Sequence, residues 1–135
     1  MTDAERNRIW ARVTGQGPDR GLDDLIRSQS AQNALYRRAY RSARGYARRV
    51  LGSCLQSGRR SLEMLQRERW LRTGDSMLLP PPPPERRPPS LRELIAGQEG
   101  LLDGFESRGN RPPWPGLREA ARRCLRSLRT IAESR

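Results

Sequence analysis

Histidine and lysine are both absent from this chain of 135 residues, and aromatic residues make up only 5% of it. Without histidine or lysine, the usual nucleophile–base sets of covalent catalysis cannot be assembled. No apolar run approaches the roughly 20 residues of a membrane-spanning helix. Residues 1–6 lack the basic start and apolar stretch of a signal peptide. We therefore expect a cytoplasmic chain that is not embedded in a membrane.

Strand patterns and inward-facing acid pairs are missing as well. No window alternates apolar and polar residues strictly, as a half-buried strand does. A glycine-rich phosphate loop that follows a strand is therefore excluded, and no pair of carboxylates lies on an inward helical face for acid–base catalysis. Enzymatic activity is left uncertain, and the sequence favours a role without catalysis.

Charge of one sign dominates the chain. All 27 basic residues are arginine, and the net charge is +12. Such a charge suits a polyanionic partner, but a genome rich in G and C would also replace lysine by arginine across an ordinary surface. We favour the compositional interpretation and keep nucleic-acid binding as the alternative. The residues that would contact a polyanion surround one predicted turn: Arg37, Arg38, Arg41, Arg44, Arg48 and Arg49.

The two cysteines are the only thiols. Cys54 and Cys124 stand alone, with no second cysteine or histidine at a metal-ligand spacing. Two isolated cysteines in a helical protein of a reducing compartment are usually small core residues. We predict that both are buried and free rather than joined in a disulfide.

Helical periodicity covers most of the chain. A short helix is predicted within the N-terminal segment 1–17, where Thr2 and Glu5 have the spacing of a capping box. Apolar residues at spacings of three and four then predict long helices in the domain that spans 18–135. The predicted ranges of these four helices are 19–42, 46–73, 90–107 and 116–133.

Glycines and polar residues mark particular positions in these helices. Gly45 marks the first hairpin turn, and Gly74 is placed to end the second helix. The predicted inward face of the second helix includes Gly58 and Leu71. The third helix contains Gly97, Gly100 and Gly104, which we expect to weaken it because glycine is a poor helix former.

Proline concentrates in the segment 74–90, which contains five consecutive prolines from Pro80 to Pro84. Such a run is extended and rises about 3.1 Å per residue, so the segment can cover roughly 50 Å. That reach suits a crossover that connects one helical hairpin to the next along the length of a bundle. A proline-rich ligand for a partner domain is the alternative interpretation.

A repeated pattern relates the two hairpins. Leu22-Asp-Asp-Leu25-Ile26-x-x-Gln29 matches Leu91-Arg-Glu-Leu94-Ile95-x-x-Gln98 in one register. An aromatic residue follows each glutamine by seven positions, and these residues are Tyr36 and Phe105. Residues at these spacings share one helical face, so the repeat indicates a duplicated helical hairpin.

The duplicated hairpin, its aromatic residues and the exit Trp70-Leu-Arg-Thr-Gly74 resemble the ferritin-like superfamily, in particular the small rubrerythrin-like proteins of bacteria. The resemblance covers about residues 20–133 and implies an all-α four-helix bundle of two hairpins with a long crossover. It also implies a homodimer or a related ferritin-like protein as partner. Trp10, Trp70 and Trp114 would either anchor such an interface or cap the core.

In that family, glutamates on the first and third helices and Glu-x-x-His on the second and fourth bind two iron ions. Neither a carboxylate nor an imidazole is present at any matching position, so we expect no metal and no cofactor. A residual metal-binding oxidoreductase is kept as a further alternative. The positions that match the iron ligands are vestigial in this interpretation and form a polar layer at the centre of the bundle, with Tyr36 and Phe105 as supporting aromatic residues. The vestigial positions are Gln29, Gly58, Ser61, Gln98, Cys124 and Ser127.

Two interpretations of that layer follow from its composition. Buried amides must find hydrogen-bond partners, so an inherited polar layer can fix the register of the helices. Alternatively, the missing side chain at Gly58 opens a small ligand pocket opposite Gln29 and Gln98. We favour the register interpretation.

Overall fold

A computed structural model of the chain describes residues 2–6, 9, 19–81 and 87–134, which are helices and connections with no strand among them. The all-α prediction is thus confirmed. Residues 3–6 and 9 are helical, and the rest of the predicted N-terminal helix lies outside the described residues. The long helices are α1 (Arg20–Ser42), α2 (Gly45–Thr73), α3 (Leu91–Glu106) and α4 (Trp114–Glu133).

Helix boundaries follow the local chemistry of the sequence. Thr2 and Glu5 form the predicted capping box, because each backbone N–H donates to the side chain of the other at 3.1–3.2 Å. Asp19 caps α1 by accepting from the N–H of Leu22 at 3.0 Å, and Ser90 caps α3 in the same way. Gly45 and Gly74 have positive φ angles, as the predicted turn and helix end require.

One boundary differs from its prediction by more than one residue. Helix α4 begins at Trp114, two residues before the predicted start, with Pro115 in its first turn. A proline there is tolerated because the first N–H groups of a helix have no intrahelical acceptor. The prediction had assigned the prolines before Gly116 to the loop, but Pro115 lies within the helix.

The four long helices pack in a ring. Helices α1 and α4 each contact both α2 and α3, whereas the diagonal pairs have no close approach within the described part of the chain. Neighbouring helices are antiparallel, as Gln32 against Gly97 and Leu25 against Gly104 demonstrate for α1 and α3. Helices α2 and α3 therefore run parallel at opposite corners, and only a long connection can join them.

The segment after α2 is that connection. Gln66 of α2 pairs with the backbone of Met77, accepting from its N–H at 2.8 Å and donating to its carbonyl at 2.9 Å. Leu79, Pro80 and Pro81 then lie over the groove between α1 and α2. This course agrees with the predicted crossover.

The core has two apolar halves. One lies near the α1–α2 turn and contains Tyr36, Val50, Leu94, Leu128 and Ile131 among its buried residues. The other lies at the opposite end and contains the buried residues Leu22, Ile26, Leu65, Leu101, Phe105, Trp114 and Leu117.

One expectation about packing was wrong, and another was incomplete. Leu71 is 49% exposed and lines a surface groove with Pro112 and Pro113 instead of facing the core. Gly97 and Gly104 are poor helix formers in α3, but they also have a role in packing. The side chains of Gln32 and Leu25 occupy the space where their Cβ atoms would stand, so the two glycines allow α1 and α3 to approach closely.

Candidate functional site

A layer of buried polar side chains separates the two apolar halves. Gln29 and Gln98, which the repeat places on one inward face, and their neighbour Asn33 are all at most 4% exposed. Ser61 is also buried. Gln32 of the same layer was missed, because a polar residue gives no periodicity signal of its own. The glycine opposite it at Gly97 was the available clue.

The amides of this layer are satisfied by protein atoms. Gln29 donates to Oδ1 of Asn33 at 2.8 Å, and Gln32 donates to the carbonyl of Leu94 at 2.9 Å. The Tyr36 hydroxyl donates to Oε1 of Gln98. Gln98 in turn donates to the carbonyl of Ala121 at 3.3 Å, which extends the chain of hydrogen bonds from α1 through α3 to α4.

Asn33 fills the place that Gly58 leaves vacant. A Cβ atom at Gly58 would overlap Oδ1 of Asn33 and stand 3.1 Å from Nε2 of Gln29. The missing side chain therefore receives a neighbouring amide instead of opening a ligand pocket. What remains is a cavity of about 10 Å³, which is roughly the room of one water-sized sphere.

Five of the six vestigial positions line this small cavity. They are Gln29, Gly58, Ser61, Gln98 and Cys124, with Phe105 beside them. The sixth, Ser127, lines a different space, an open groove between α2 and α4. Five of the positions that the repeat matched therefore lie around one cavity, and Ser127 at the last position of the fourth helix does not.

The donor set of these positions does not fit a di-iron centre. Two amides, a hydroxyl and a thiol supply no carboxylate and no imidazole, whereas a pair of iron ions requires anionic oxygen ligands. The acids nearest in sequence, Glu63, Glu99 and Asp103, are exposed. Among the described residues, no three side chains of His, Cys, Asp or Glu type come together as a metal site would need.

The two thiols meet beside the polar layer. Cys54 and Cys124 are buried and free, as predicted. Cys54 donates a hydrogen bond to Cys124, which raises the pKa of Cys54 and lowers that of Cys124. Ser57 and the charge of Arg123 lower the pKa of Cys124 further. Burial raises the pKa of Tyr36 and keeps its hydroxyl a neutral donor.

The predicted arginine cluster surrounds the turn between α1 and α2. Arg37 and Arg38 are half-buried, and the other four members, Arg41, Arg44, Arg48 and Arg49, are exposed. The guanidinium of Arg48 lies 4.4 Å from the centre of the Tyr40 ring, a cation–π contact. No Asp or Glu occurs between Asp24 and Glu63, a stretch that holds nine arginines. This end of the molecule is therefore strongly positive.

The three tryptophans have different surroundings. Trp114 is buried, with its ring 6.4 Å from that of Phe105 and the Arg108 guanidinium over its face. It therefore caps the core and is not available as an interface anchor. Trp70 is 40% exposed, and Trp10 lies outside the described residues.

No protein-family model, curated protein or solved structure matches this chain. Among the helices that the structure describes, none is both long enough and apolar enough to cross a bilayer.

Proposed function

We propose that this chain is a ferritin-like, rubrerythrin-like bundle that has lost its di-iron ligands and serves a non-catalytic structural or protein-interaction role in the cytoplasm. The observation that carries the proposal is the occupation of the Gly58 position by the Asn33 amide. A metal centre needs space and charged donors at the middle of the bundle, and both have been replaced by amides that bond to protein atoms.

The topology supports the proposed family. Parallel helices at opposite corners, joined by a long crossover between two hairpins, are the arrangement of ferritin-like bundles. The register of the repeat supports it as well, since Gln29 and Gln98 line the same central cavity.

Elemental analysis of the protein, purified without chelator after growth in iron-rich medium, tests the loss of metal. We expect iron and manganese only at trace level. Near-stoichiometric iron or manganese would contradict the proposal and restore the oxidoreductase interpretation. A matched Cys124→Ser variant would then reveal whether the thiol with the lowered pKa holds the ion.

An apolar groove supports the interaction role. Met64 and Leu71 of α2 line a space of about 290 Å³ together with Pro112 and Pro113. Arg67 and Glu68 also line it, so its rim carries both signs of charge. A second copy of the chain, or a related bundle, is the proposed occupant.

Sedimentation at micromolar concentration tests this role. We expect a dimer that Leu71→Arg weakens, because a charge would enter the apolar groove. Leu78→Arg is the matched control, since Leu78 is 97% exposed on the crossover away from the groove. A monomeric profile of the unmodified protein would remove self-association from the proposal.

Nucleic-acid binding is a second candidate, favoured by the acid-free stretch around the α1–α2 turn. No ion pair holds Arg44 or Arg49 within the described part of the chain. Affinity for duplex and single-stranded DNA at near-physiological salt tests it. If the turn binds phosphates, Arg44→Gln/Arg49→Gln should reduce the logarithmic salt slope by about 1.8 on duplex DNA and about 1.4 on single strands. Arg92→Gln/Arg111→Gln removes the same charge elsewhere, and an equal effect of this control would contradict a specific site.

A further inference from the structure

A polar groove lies on the outer side of the α2–α4 contact and shares Cys54, Ser57 and Cys124 with the small central cavity. It encloses about 440 Å³ and runs from Tyr46 near the α1–α2 turn to Arg60. That volume lies within the range of small-molecule sites in proteins. The groove is defined here by Ser53, Ser57, Arg60, Arg123, Arg126 and Ser127.

The groove is lined by donors and no carboxylate. Arg60, Arg123 and Arg126 contribute guanidinium groups from both helices. Only Arg126 has an acidic neighbour in the described part of the chain, and that contact with Glu119 is long, at 3.8 Å and largely exposed. Exposed pairs of this kind contribute little, so all three charges are available to a ligand.

Hydroxyl groups stand between these arginines. Ser53 and Ser57 are one helical turn apart on α2, and Ser127 faces them from α4. Within the described residues, Ser53 and Ser127 have no hydrogen-bond partner for their hydroxyls, whereas Ser57 contacts Cys124. Guanidinium forks combined with hydroxyl donors are the chemistry that recognises phosphate oxygens.

We propose that this groove binds the phosphate group of a phosphate ester, with Arg60 and Arg123 as the principal contacts from opposite walls. Tyr46, 56% exposed at one end, offers an aromatic face to a planar ring attached to that phosphate. The ester is either a small phosphorylated molecule, such as a mononucleotide, or the backbone of a nucleic acid. The proposal does not depend on the history of the central layer.

Cys124 provides a reporter inside the groove. Its side chain lines the groove although the residue is only 8% exposed. Arg123 helps to keep its pKa low, so a bound phosphate dianion would offset that charge, disfavour the thiolate and cover the sulfur. Because the thiolate is the nucleophile, phosphate binding should slow alkylation of Cys124.

The experiment measures the rate at which iodoacetamide alkylates Cys124 in the full chain, with the modified residue identified by peptide mass. Probes are inorganic phosphate, adenosine 5′-monophosphate and a single-stranded DNA oligonucleotide, with adenosine and chloride at matched ionic strength as controls. We expect the phosphate-bearing probes to slow alkylation several-fold and the controls to leave it unchanged. Dissociation constants from the same titrations should rise about tenfold or more in Arg60→Gln/Arg123→Gln.

Two further variants distinguish binding in the groove from non-specific electrostatic attraction to a basic protein. Arg92→Gln/Arg111→Gln carries the same net charge as the groove variant but alters exposed positions outside the groove. It should retain binding, and Ser127→Ala should weaken it by a few-fold. Unchanged thermal unfolding of each variant establishes that the fold is retained.

If the mononucleotide protects Cys124 from alkylation, the ligand is a small phosphorylated molecule. If only the oligonucleotide protects Cys124, and this protection is lost in Arg60→Gln/Arg123→Gln, the ligand is the backbone of a nucleic acid. Two results would overturn the proposal: no protection of Cys124 by any phosphate-bearing probe at millimolar concentration, or equal weakening of binding in the groove variant and the matched variant.

Discussion

Gly58 and Asn33 share one volume at the centre of the molecule. The Asn33 amide stands where a Cβ atom at Gly58 would be, and Gln29 bonds to that amide at 2.8 Å. The two positions therefore constrain each other, since either can carry a side chain in this space only while the other does not. A carboxylate at residue 58 would require a change at residue 33 as well.

Gly58→Ala is expected to destabilise the protein by about 1–3 kcal/mol, because the new methyl group overpacks a buried site. In an Asn33→Ala background the same change should cost at least about 1 kcal/mol less. Gly100→Ala is the control, since nothing lies within 4 Å of its Cβ position, and it should gain up to about 1 kcal/mol. Urea unfolding measures each difference. An equal cost of Gly58→Ala in both backgrounds would contradict the shared volume.

Asp19 connects three parts of the chain through one carboxylate. It caps α1, it contacts Arg108 of the α3–α4 loop at 2.6 Å, and Arg72 at the end of α2 lies 3.7 Å away. Burial by itself raises the pKa of Asp19, but the hydrogen bonds from Arg108 and Leu22 and the charges of Arg108 and Arg72 lower it overall. The ionised carboxylate is therefore the form that the fold favours.

The stability that Asp19 contributes should be present above its ordinary pKa and lost as pH falls through its lowered pKa. Asp19→Asn retains a good cap but no charge, so we expect a loss of up to about 1 kcal/mol at pH 7. The difference between variant and unmodified protein should shrink at pH 2.5, as urea midpoints at the two pH values would record. Asp24→Asn, at an exposed pair with Arg27, is the control. A pH-independent effect of Asp19→Asn would contradict this account.

At the scale of the helices, two close approaches fix how the hairpins meet. Gln32 lies over Gly97, and Tyr36 bonds to Gln98, so α1 and α3 are linked by polar contacts on successive turns. A shift of one residue along either helix would leave buried amides without partners. The polar layer thus favours one register over its neighbours.

Removing both members of a buried hydrogen-bonded pair should cost less than the sum of the two single losses. Tyr36→Phe leaves Oε1 of Gln98 without its donor, at an expected cost of about 1–3 kcal/mol. Gln98→Leu should be similarly costly, and the double variant should lose at least about 0.5 kcal/mol less than the sum. Tyr40→Phe, whose ring lies under Arg48, should change stability by less than about 0.5 kcal/mol. Additive losses in urea unfolding would exclude coupling between the pair.

Periodicity and capping chemistry carried most of the information about the helices. The repeat placed Gln29 and Gln98 at one cavity, and Gly45 and Gly74 marked real turns. What the sequence could not predict depends on three-dimensional fit. Asn33 filling Gly58, and Gln32 lying over Gly97, involve residues on different helices whose separation a pattern does not contain. The inward position predicted for Leu71 was wrong as well, because its 49% exposure depends on the packing of neighbouring elements.

At the scale of the whole molecule, the two hairpins are complete units joined by an outer connection. Each apolar half of the core combines residues of both hairpins, so packing between them continues without any shared tight turn. Leu79, Pro80 and Pro81 of the crossover lie over the groove between α1 and α2, and Leu78 is almost fully exposed. We therefore expect the two hairpins to stay together without an intact crossover.

A protease site inserted after Leu78 tests this arrangement. After cleavage, the two hairpins should elute together under native conditions and separate only in denaturant. The urea midpoint of the cleaved protein should rise with protein concentration, because folding has become association, whereas that of the intact protein should not change. Fragments that separate on native dilution would contradict the shared core.

The amide-bearing face of α1 has a consequence for synthesis. A nascent chain completes the first hairpin while the second is still inside the ribosome, so Gln29, Gln32 and Asn33 meet water before they meet α3 and α4. Water can hydrogen-bond to these amides, whereas a wholly aliphatic face would promote aggregation with other incomplete chains. The amides of the central layer would thus limit aggregation of the first hairpin during translation.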